Sequence, residues 1–226
     1  MLTNVNLHYP PVYKALSYVC GDPNPNFPIL VNEKRYQVTA NCHAAPCRLR
    51  ELGKATIWID SICIHQQDEG ERAAQILLMR DIYASATQVV VFLGHNAAKR
   101  RDDAEIMDGM AVDLMTDLVK ERNNHGFNFD SLADKDRWKA LLDLFQLSWF
   151  ERLWTYQEII LASNSIIVTN YHAVPYSIFR NATGIVTEFS SHKYHEVWAL
   201  SGSDSKVRIV NKEIYSSADG LERSIA

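Results

Sequence analysis

The sequence predicts an α/β fold built on an open, mostly parallel sheet flanked by helices. Apolar runs at residues 56–60 and 88–94 enclose a segment with helical periodicity, and a further apolar run follows at 166–169. A strand, a helix and a second strand in succession are typical of a right-handed βαβ unit. In open sheets of this kind, ligands bind at the carboxyl ends of the strands, which is therefore where we expect a site.

The first elements are a strand, a hairpin and a helix. A strand is predicted at residues 13–19, between prolines and a Gly-Asp-Pro turn. Two short apolar runs, 29–31 and 36–38, predict a small hairpin inserted beside the main sheet. Asn41 is predicted to cap a helix that stops near Gly53.

The central βαβ segment comes next. Residues 56–60 form a continuous apolar run that ends in an acid, which predicts a strand buried on both faces. Residues 61–67 read as a polar loop. Asp68 with Glu71 is a capping-box signature that opens a helix, and residues 88–94 are the clearest strand in the sequence.

The second half of the chain predicts mostly helices. Amphipathic segments lie at about 107–118 and 134–147, a strand is expected at 166–169, and Pro175 begins a last helix. Between them, Ser148 with Glu151 forms another capping-box signature. It predicts a helix of about four turns that continues past residue 158.

Composition predicts one cytoplasmic globular domain, residues 1–200, followed by a tail, residues 201–226, that is partly ordered at best. With 47% hydrophobic residues the chain can bury a full core, and its net charge of -4 favours no nucleic-acid surface. No apolar run reaches membrane-spanning length and no signal peptide is evident, so we expect no membrane association and free thiols at the four cysteines. Their spacing to histidines lacks the paired pattern of a zinc site, so no metal or cofactor is expected.

Glu158 is the candidate catalytic residue. It lies in an aromatic and apolar segment that contains Trp149 and Trp154, and a carboxylate held there needs a partner or a task. A salt bridge to Arg152, or a side chain that reaches out to water, would also explain it. The two tryptophans can be core anchors or platforms on which a ring stacks.

Five blocks of the sequence, in order, resemble the signature blocks of the heterokaryon incompatibility (HET) domain family. They are residues 15–21 (ALSYVCG), 57–66 (IWIDSICIHQ), selected positions of 71–86, 89–94 (VVVFLG) and 149–158. The chain departs from the family pattern at Cys20, where tryptophan is usual, at His65, where asparagine is usual, and near Asn170, where a glycine is expected. These departures concern the shape of the pocket more than the fold.

The resemblance implies a function in fungal non-self recognition and programmed cell death. HET domains also resemble the Toll/interleukin-1 receptor (TIR) domain, which implies a TIR-like, flavodoxin-like sheet. The segment from Trp154 to Glu158 is similar to the segment that carries the catalytic glutamate of TIR enzymes that cleave NAD. NAD or a related nucleotide is then the expected small-molecule partner, as a substrate.

One carboxylate is chemically sufficient for that reaction. The nicotinamide leaving group is already cationic and departs neutral, so no general acid is needed, and Glu158 could hold ribose hydroxyls and stabilise the developing positive charge. Ser17, Tyr18, Asp60 and Gln66 could orient ribose or phosphate, although Asp60 could instead cap the loop that follows it. The alternative is a non-catalytic signalling module that acts by self-association or by binding another signalling protein.

Overall fold

The structure, a computed structural model, describes residues 2–24, 27–53, 55–94, 101–123, 132, 134–152 and 154–192. The chain divides into two compact units, Met1–Gly94 with Arg152–Ala173 and His95–Glu151 with Val174–Ala226. The predicted tail, residues 201–226, lies outside the described residues. The sheet strands β1 to β6 and the candidate catalytic residue belong to the first unit.

The described residues contain seven strands. They are β1 (Lys14–Tyr18), β2 (Phe27–Val31), β3 (Lys34–Val38), β4 (Ile57–Trp58), β5 (Gln88–Gly94), β6 (Ser165–Thr169) and β7 (Ala173–Pro175). Five of them form the main sheet in the order β4-β1-β5-β6-β7, and the β1–β4, β1–β5 and β5–β6 pairs are parallel. The predicted α/β class with a mostly parallel sheet is confirmed.

The strand order places a topological switch point beside β1. When the main-sheet strands are numbered in chain order, their order across the sheet is 2-1-3-4-5. The second strand lies on one side of the first and the later strands lie on its other side, so the switch point is between β1 and β5. The two strands of the predicted βαβ unit, β4 and β5, run parallel, as predicted. They are not neighbours, because β1 lies between them. Sheets with this order bind ligands at the carboxyl ends of the strands next to the switch point.

The described helices alternate with these strands. They are α1 (Ala40–Glu51), α2 (Asp60–Cys63), α3 (Glu69–Ser85), α4 (Arg101–Asn123), α5 (Lys135–Phe145), a 3₁₀ helix (Ser148–Glu151), α6 (Trp154–Ile160) and α7 (Tyr176–His192).

Helices pack on both faces of the central strands, against side chains that alternate between the two faces. Leu16 and Val90 join one core cluster with residues of α1, whereas their neighbours Ala15 and Val89 join another with residues of α3. Successive side chains of a strand point to opposite faces, so helices on both sides bury the central strands β1 and β5. This explains why the central strands read as continuous apolar runs.

The predicted hairpin insertion is confirmed. β2 and β3 pair antiparallel as a separate sheet, with Val31 opposite Lys34. The turn between them places Asn32 and Glu33 at φ values of 49° and 66°, as a two-residue hairpin turn requires. Val38 at the end of β3 belongs to the core cluster on the α1 face, which anchors the hairpin.

The predicted cap of α1 is wrong by two residues. Thr39 is the N-cap, and its hydroxyl accepts a hydrogen bond from the Cys42 amide at 3.3 Å. The Asn41 side chain instead donates to the Val19 carbonyl at 2.8 Å, beyond the end of β1. It also lies against Gly21 and Gly94, two glycines with positive φ that follow or end neighbouring strands. Asn41 therefore organises the turns at the carboxyl edge of the sheet.

The segment at 56–60 is also less regular than predicted. Only Ile57–Trp58 forms a strand, and it is half-buried because β4 lies at the edge of the sheet and pairs with β1 alone. The predicted polar loop begins with a short helix, α2, which opens at Asp60. The apolar composition of residues 56–60 predicts a central strand. The number of neighbours that a strand has depends on strand order, however, and β4 lies at the edge of the sheet.

The predicted four-turn helix from Ser148 is wrong. Ser148–Glu151 is a 3₁₀ turn, and the following α-helix covers only Trp154–Ile160. The Thr155 hydroxyl donates to the Arg152 carbonyl at 2.6 Å, at the junction between the two segments. The chain passes from the second unit into the first at Arg152. Glu158 consequently lies in a seven-residue helix of the first unit.

The described residues of the second unit are mostly helical. α4 packs against α5 and α7, and its buried residues Leu114, Met115 and Leu118 follow one face of the helix. The ring of Phe150 stacks on that of Phe179 with centroids 5.4 Å apart. An aromatic core of this kind accounts for the strong apolar patterning of residues 134–150.

Candidate functional site

Ser17 and Tyr18 end β1 and point to opposite faces of the sheet. Ser17 shares the face of Ala15, which packs with α3, and Tyr18 belongs with Leu16 to the cluster on the α1 face. Both side chains are buried. The carboxyl end of β1 thus presents a polar group to each side of the sheet, next to the switch point.

Glu158 lies on the α3 face, in contact with the end of β1. Its side chain is only 5% exposed, and its carboxyl group hydrogen-bonds with the side chains of Ser17 and Tyr83. The Tyr83 hydroxyl also donates to the Leu16 carbonyl at 3.0 Å, which fixes the ring against the strand. Within the described part of the chain, the second carboxylate oxygen of Glu158, Oε2, is buried and has no hydrogen-bond partner.

Burial raises the pKa of Glu158 to about 7. Removal from water disfavours the charged carboxylate, and the negative charge of Asp60 adds to this effect. Hydrogen bonds from Ser17 and Tyr83, together with the positive charge of Arg152, act in the opposite direction. Glu158 can therefore change its protonation state close to neutral pH.

A second polar group lies on the α1 face. The Tyr18 hydroxyl is 2.6 Å from the Ser61 hydroxyl, which is 3.2 Å from the Cys42 thiol. The exposed Cys20 thiol donates to the Tyr18 hydroxyl at 3.7 Å. Burial raises the pKa values of Tyr18 and Cys42, so both groups stay protonated at neutral pH.

Asp60 and Arg152 act on both groups. Asp60 opens α2 and accepts a hydrogen bond from the Ser61 amide at 2.7 Å. Burial raises its pKa, and the charge of Arg152 opposes that increase. The Arg152 guanidinium donates to the Tyr18 carbonyl at the end of β1. The positive charge of Arg152 thus lowers the pKa values of both Asp60 and Glu158. The salt bridge to Glu158 that the sequence offered as an alternative is not among the ion pairs of the described residues.

The remaining predicted ligand residues are placed differently. Gln66 is exposed and donates to the Asp60 carbonyl at 2.9 Å, so it supports the turn that carries the carboxylate. Trp149 is buried in the second unit, edge to face on Phe150 with ring centroids 5.0 Å apart. Trp154 begins α6, but its side chain lies outside the described residues. Of the predicted set, Ser17 contacts Glu158 on the α3 face, whereas Tyr18 hydrogen-bonds with Asp60, whose charge acts on Glu158.

Tyr83 is the site residue that the sequence did not single out. It is a buried tyrosine on the inner face of α3, and such residues are ordinarily part of a core. Its position in the third of the five HET-like blocks, after Ile82, was the signal available. Burial raises its pKa well above the ordinary value, so the hydroxyl stays protonated, and its single proton can be donated either to the Leu16 carbonyl or to Glu158.

All four cysteines are free, as expected. His65, Asp68 and Glu71 place potential metal-ligand atoms within 4.8 Å of one another at the start of α3. Asp68 already accepts from the amides of Gly70 and Glu71, and Glu71 accepts from the His65 amide. These local hydrogen bonds account for the cluster as a helix cap, and we assign no metal to it.

The fold and the site define a class of protein: a doubly covered α/β sheet with a buried carboxyl group at its switch point. The sequence model of the heterokaryon incompatibility protein (HET) family matches residues 13–158. The chain therefore belongs to the heterokaryon incompatibility family. The match ends at Glu158 and includes every residue of the two polar groups described above.

A curated relative agrees with this assignment. The chain is 32% identical over 206 residues to heterokaryon incompatibility protein 6, OR allele, of Neurospora crassa, and the alignment covers 73% of this chain. It covers 30% of the relative, so the chain spans about a third of that protein's length. No solved structure gives a significant match. Among the described residues, no helix is both long enough and apolar enough to cross a membrane.

Proposed function

We propose that this domain hydrolyses NAD at the bond between nicotinamide and ribose, with Glu158 as the catalytic carboxylate. The main observation that supports this proposal is the buried Glu158 carboxyl group. Its oxygen Oε2 has no hydrogen-bond partner in the described part of the chain, and its pKa is raised to about 7. A buried carboxylate oxygen without a hydrogen bond is costly, and a ribose hydroxyl is a suitable donor to it.

The reaction suits a single carboxylate. The glycosidic carbon–nitrogen bond breaks, and its electron pair leaves with the pyridine nitrogen, which becomes neutral. The ribose carbon passes through an oxocarbenium-like state, water adds to it, and that water loses a proton. Ionised Glu158 stabilises the developing positive charge, and no acid is required for the leaving group.

The neighbouring residues support this assignment. Ser17 and Tyr83 hydrogen-bond with the Glu158 carboxyl group and hold it in one orientation, while the charge of Arg152 favours its ionised form. Tyr18 and Asp60 lie at the same strand ends, where ligands of flavodoxin-like sheets bind, and the strand order supports a relation to the TIR-like fold. The resemblance of the segment before Glu158 to TIR enzymes points to the same chemistry.

The biological setting that we propose is fungal non-self recognition and programmed cell death inside the cell. The curated relative is named a heterokaryon incompatibility protein, and this chain belongs to the same family. Depletion of NAD would be a direct route from recognition to death.

The first test is nicotinamide release from NAD by the purified chain. We expect Glu158→Gln to lower the rate by about 100-fold or more, the loss typical of removing one preorganised electrostatic group. Glu105→Gln, which changes an exposed acid on α4, is the matched control and should leave the rate unchanged. Nicotinamide is quantified by chromatography. Equal rates for wild type and Glu158→Gln would show that the catalytic assignment is wrong.

A second candidate function is a non-catalytic signalling module that acts through self-association. The observation that favours it is the set of exposed apolar side chains on α3, which includes Leu77 at 81% exposure. If concentrated wild-type protein releases no nicotinamide, this candidate replaces the first. The two are compatible if assembly completes the catalytic site.

A further inference from the structure

The outer face of α3 is the most apolar exposed helix surface among the described residues. Ile76 and Leu77 are 48% and 81% exposed, and Ala73, Ala74 and Leu78 beside them are exposed as well. On the other side of the helix Ile82 lies in the core, and Tyr83, one turn beyond Arg80, is buried as well. A helix with apolar side chains nearly all round is ordinarily covered on more than one side, so this face is suited to an interface.

Charges at the two ends of this face are complementary to each other. Glu69, Ala73, Ile76 and Arg80 follow one another at intervals of four, three and four residues, so they form a single stripe along the helix. We name Glu69, Ala73, Ile76, Leu77 and Arg80 the α3 stripe. All five side chains are exposed, and neither Glu69 nor Arg80 forms an ion pair within the described residues.

We propose that the α3 stripe binds the same stripe of a second copy of this chain, with the two helices antiparallel about a two-fold axis near residues 74 and 75. The acidic end of each stripe then faces the basic end of the other, so Glu69 pairs with the partner's Arg80 and Arg80 with the partner's Glu69. A two-fold interface repeats each contact, which is why a self-complementary stripe favours a second copy over an unrelated protein.

The apolar side chains fit the same arrangement. Ala73 faces the partner's Ile76, and Leu77 packs over the small side chains of the partner's Ala73 and Ala74. Large residues opposite small ones allow two helices to approach closely. A single helix pair buries less surface than a permanent dimer needs, so the association is weak and depends on concentration.

This inference rests on the second candidate function, because it specifies the surface through which self-association would occur. It does not involve Glu158, and the test uses no NAD. Sedimentation velocity over about a hundredfold range of concentration should show the wild-type chain passing from monomer to dimer. We expect Leu77→Asp to weaken the dimer by about tenfold or more, because it places a charge in the apolar centre of the interface.

Leu30→Asp is the matched control, since Leu30 is 72% exposed on the hairpin, away from the stripe in sequence. It should associate as the wild type does. If both substitutions weaken the dimer equally, the effect is general and the assignment to α3 is wrong. A wild-type chain that stays monomeric throughout overturns both the proposal and the second candidate function.

A charge exchange tests the antiparallel geometry directly. Glu69→Lys leaves only bases at both ends of the stripe and Arg80→Glu leaves only acids, so each variant should dimerise less than the wild type. A mixture of the two restores opposite charges at both ends and should recover the dimer. Because two misfolded variants would not recover on mixing, the mixture also controls for folding. Failure of the mixture to associate, with wild-type dimers present, contradicts this surface but leaves self-association standing.

Discussion

Glu158 has an unusual protonation behaviour because of where its carboxyl group is buried. Its pKa of about 7 results first from burial, and the charges of Arg152 and Asp60 oppose each other in setting it. The neighbouring hydroxyl of Tyr83 hydrogen-bonds with it and also lies 3.0 Å from the Leu16 carbonyl at the end of β1, so the two oxygens share one hydroxyl proton. A carboxyl group of this kind is suited to functional chemistry, although structural networks also perturb carboxyl pKa values.

This raised pKa makes a prediction about stability. The folded protein retains the Glu158 proton up to a pH of about 7, whereas the unfolded chain releases it near the ordinary value of 4.5. The contribution of this group to stability is therefore complete below about pH 4.5 and is lost as the pH rises to about 7. Glu158→Gln cannot ionise, so its free energy of unfolding should fall less across this range, by about 2–3 kcal/mol, since one pKa unit is about 1.4 kcal/mol.

Denaturant unfolding of wild type and Glu158→Gln at a series of pH values measures this difference. Comparing the two proteins removes the contributions of titrating groups that do not interact with Glu158; Asp60, whose charge raises the pKa of Glu158, is not among them. Parallel pH profiles for the two proteins would show that Glu158 has an ordinary pKa in the folded state.

At the scale of elements, polar side chains decide where the helices begin. Thr39 caps α1, while Asn41, which has equally good capping chemistry, bonds to the Val19 carbonyl in a turn of the sheet edge. Thr155 bonds to the Arg152 carbonyl at the junction where a single long helix was predicted. The same residue types serve as caps or as turn ligands, and the neighbouring strands determine which.

The cap of α1 can be tested by substitution at Thr39. Thr39→Ala removes the acceptor for the Cys42 amide and should lower the free energy of unfolding by about 1 kcal/mol, whereas Thr39→Ser keeps the acceptor and should cost a few tenths at most. Chemical denaturation measures both values. An equal loss for the two variants would assign the effect to the methyl group and not to the cap.

At the scale of the whole molecule, the two-sided sheet supplies the scaffold for the first unit. Leu16 and Val90 face α1 from neighbouring strands, and Ala15 and Val89 face α3. The site residues Ser17 and Tyr18 continue this alternation at the end of β1. Because the strand is packed on both faces, the positions of these two polar groups follow from the core beneath them.

Removal of core volume from β1 tests this dependence. Leu16 is 1% exposed, so Leu16→Ala should lower the free energy of unfolding by about 2–5 kcal/mol. Leu30→Ala, at an exposed position of the hairpin, should change it by about 0.5 kcal/mol or less. Thermal or denaturant unfolding gives both values. Similar losses at the two positions would mean that β1 is not a central, tightly packed strand.

The sequence by itself determined the class of fold, the strands β1, β5 and β6, the hairpin and the free thiols, and it singled out Glu158 as a candidate. Each of these depends on a local pattern: apolar runs, turn residues, or a charged group in an apolar segment. The blocks that resemble the HET family added the order of these patterns, and the family match confirms the assignment.

Only the tertiary structure decided the insertion of β1 between β4 and β5, the break before α6, and the convergence of Tyr83, Arg152 and Asp60 on Glu158. Strand order depends on pairing between distant segments, which local periodicity does not encode. The protonation of Glu158 depends on the burial and charges that this pairing creates around it. The sequence therefore identified the carboxylate, whereas its chemical environment follows from residues that only folding brings together.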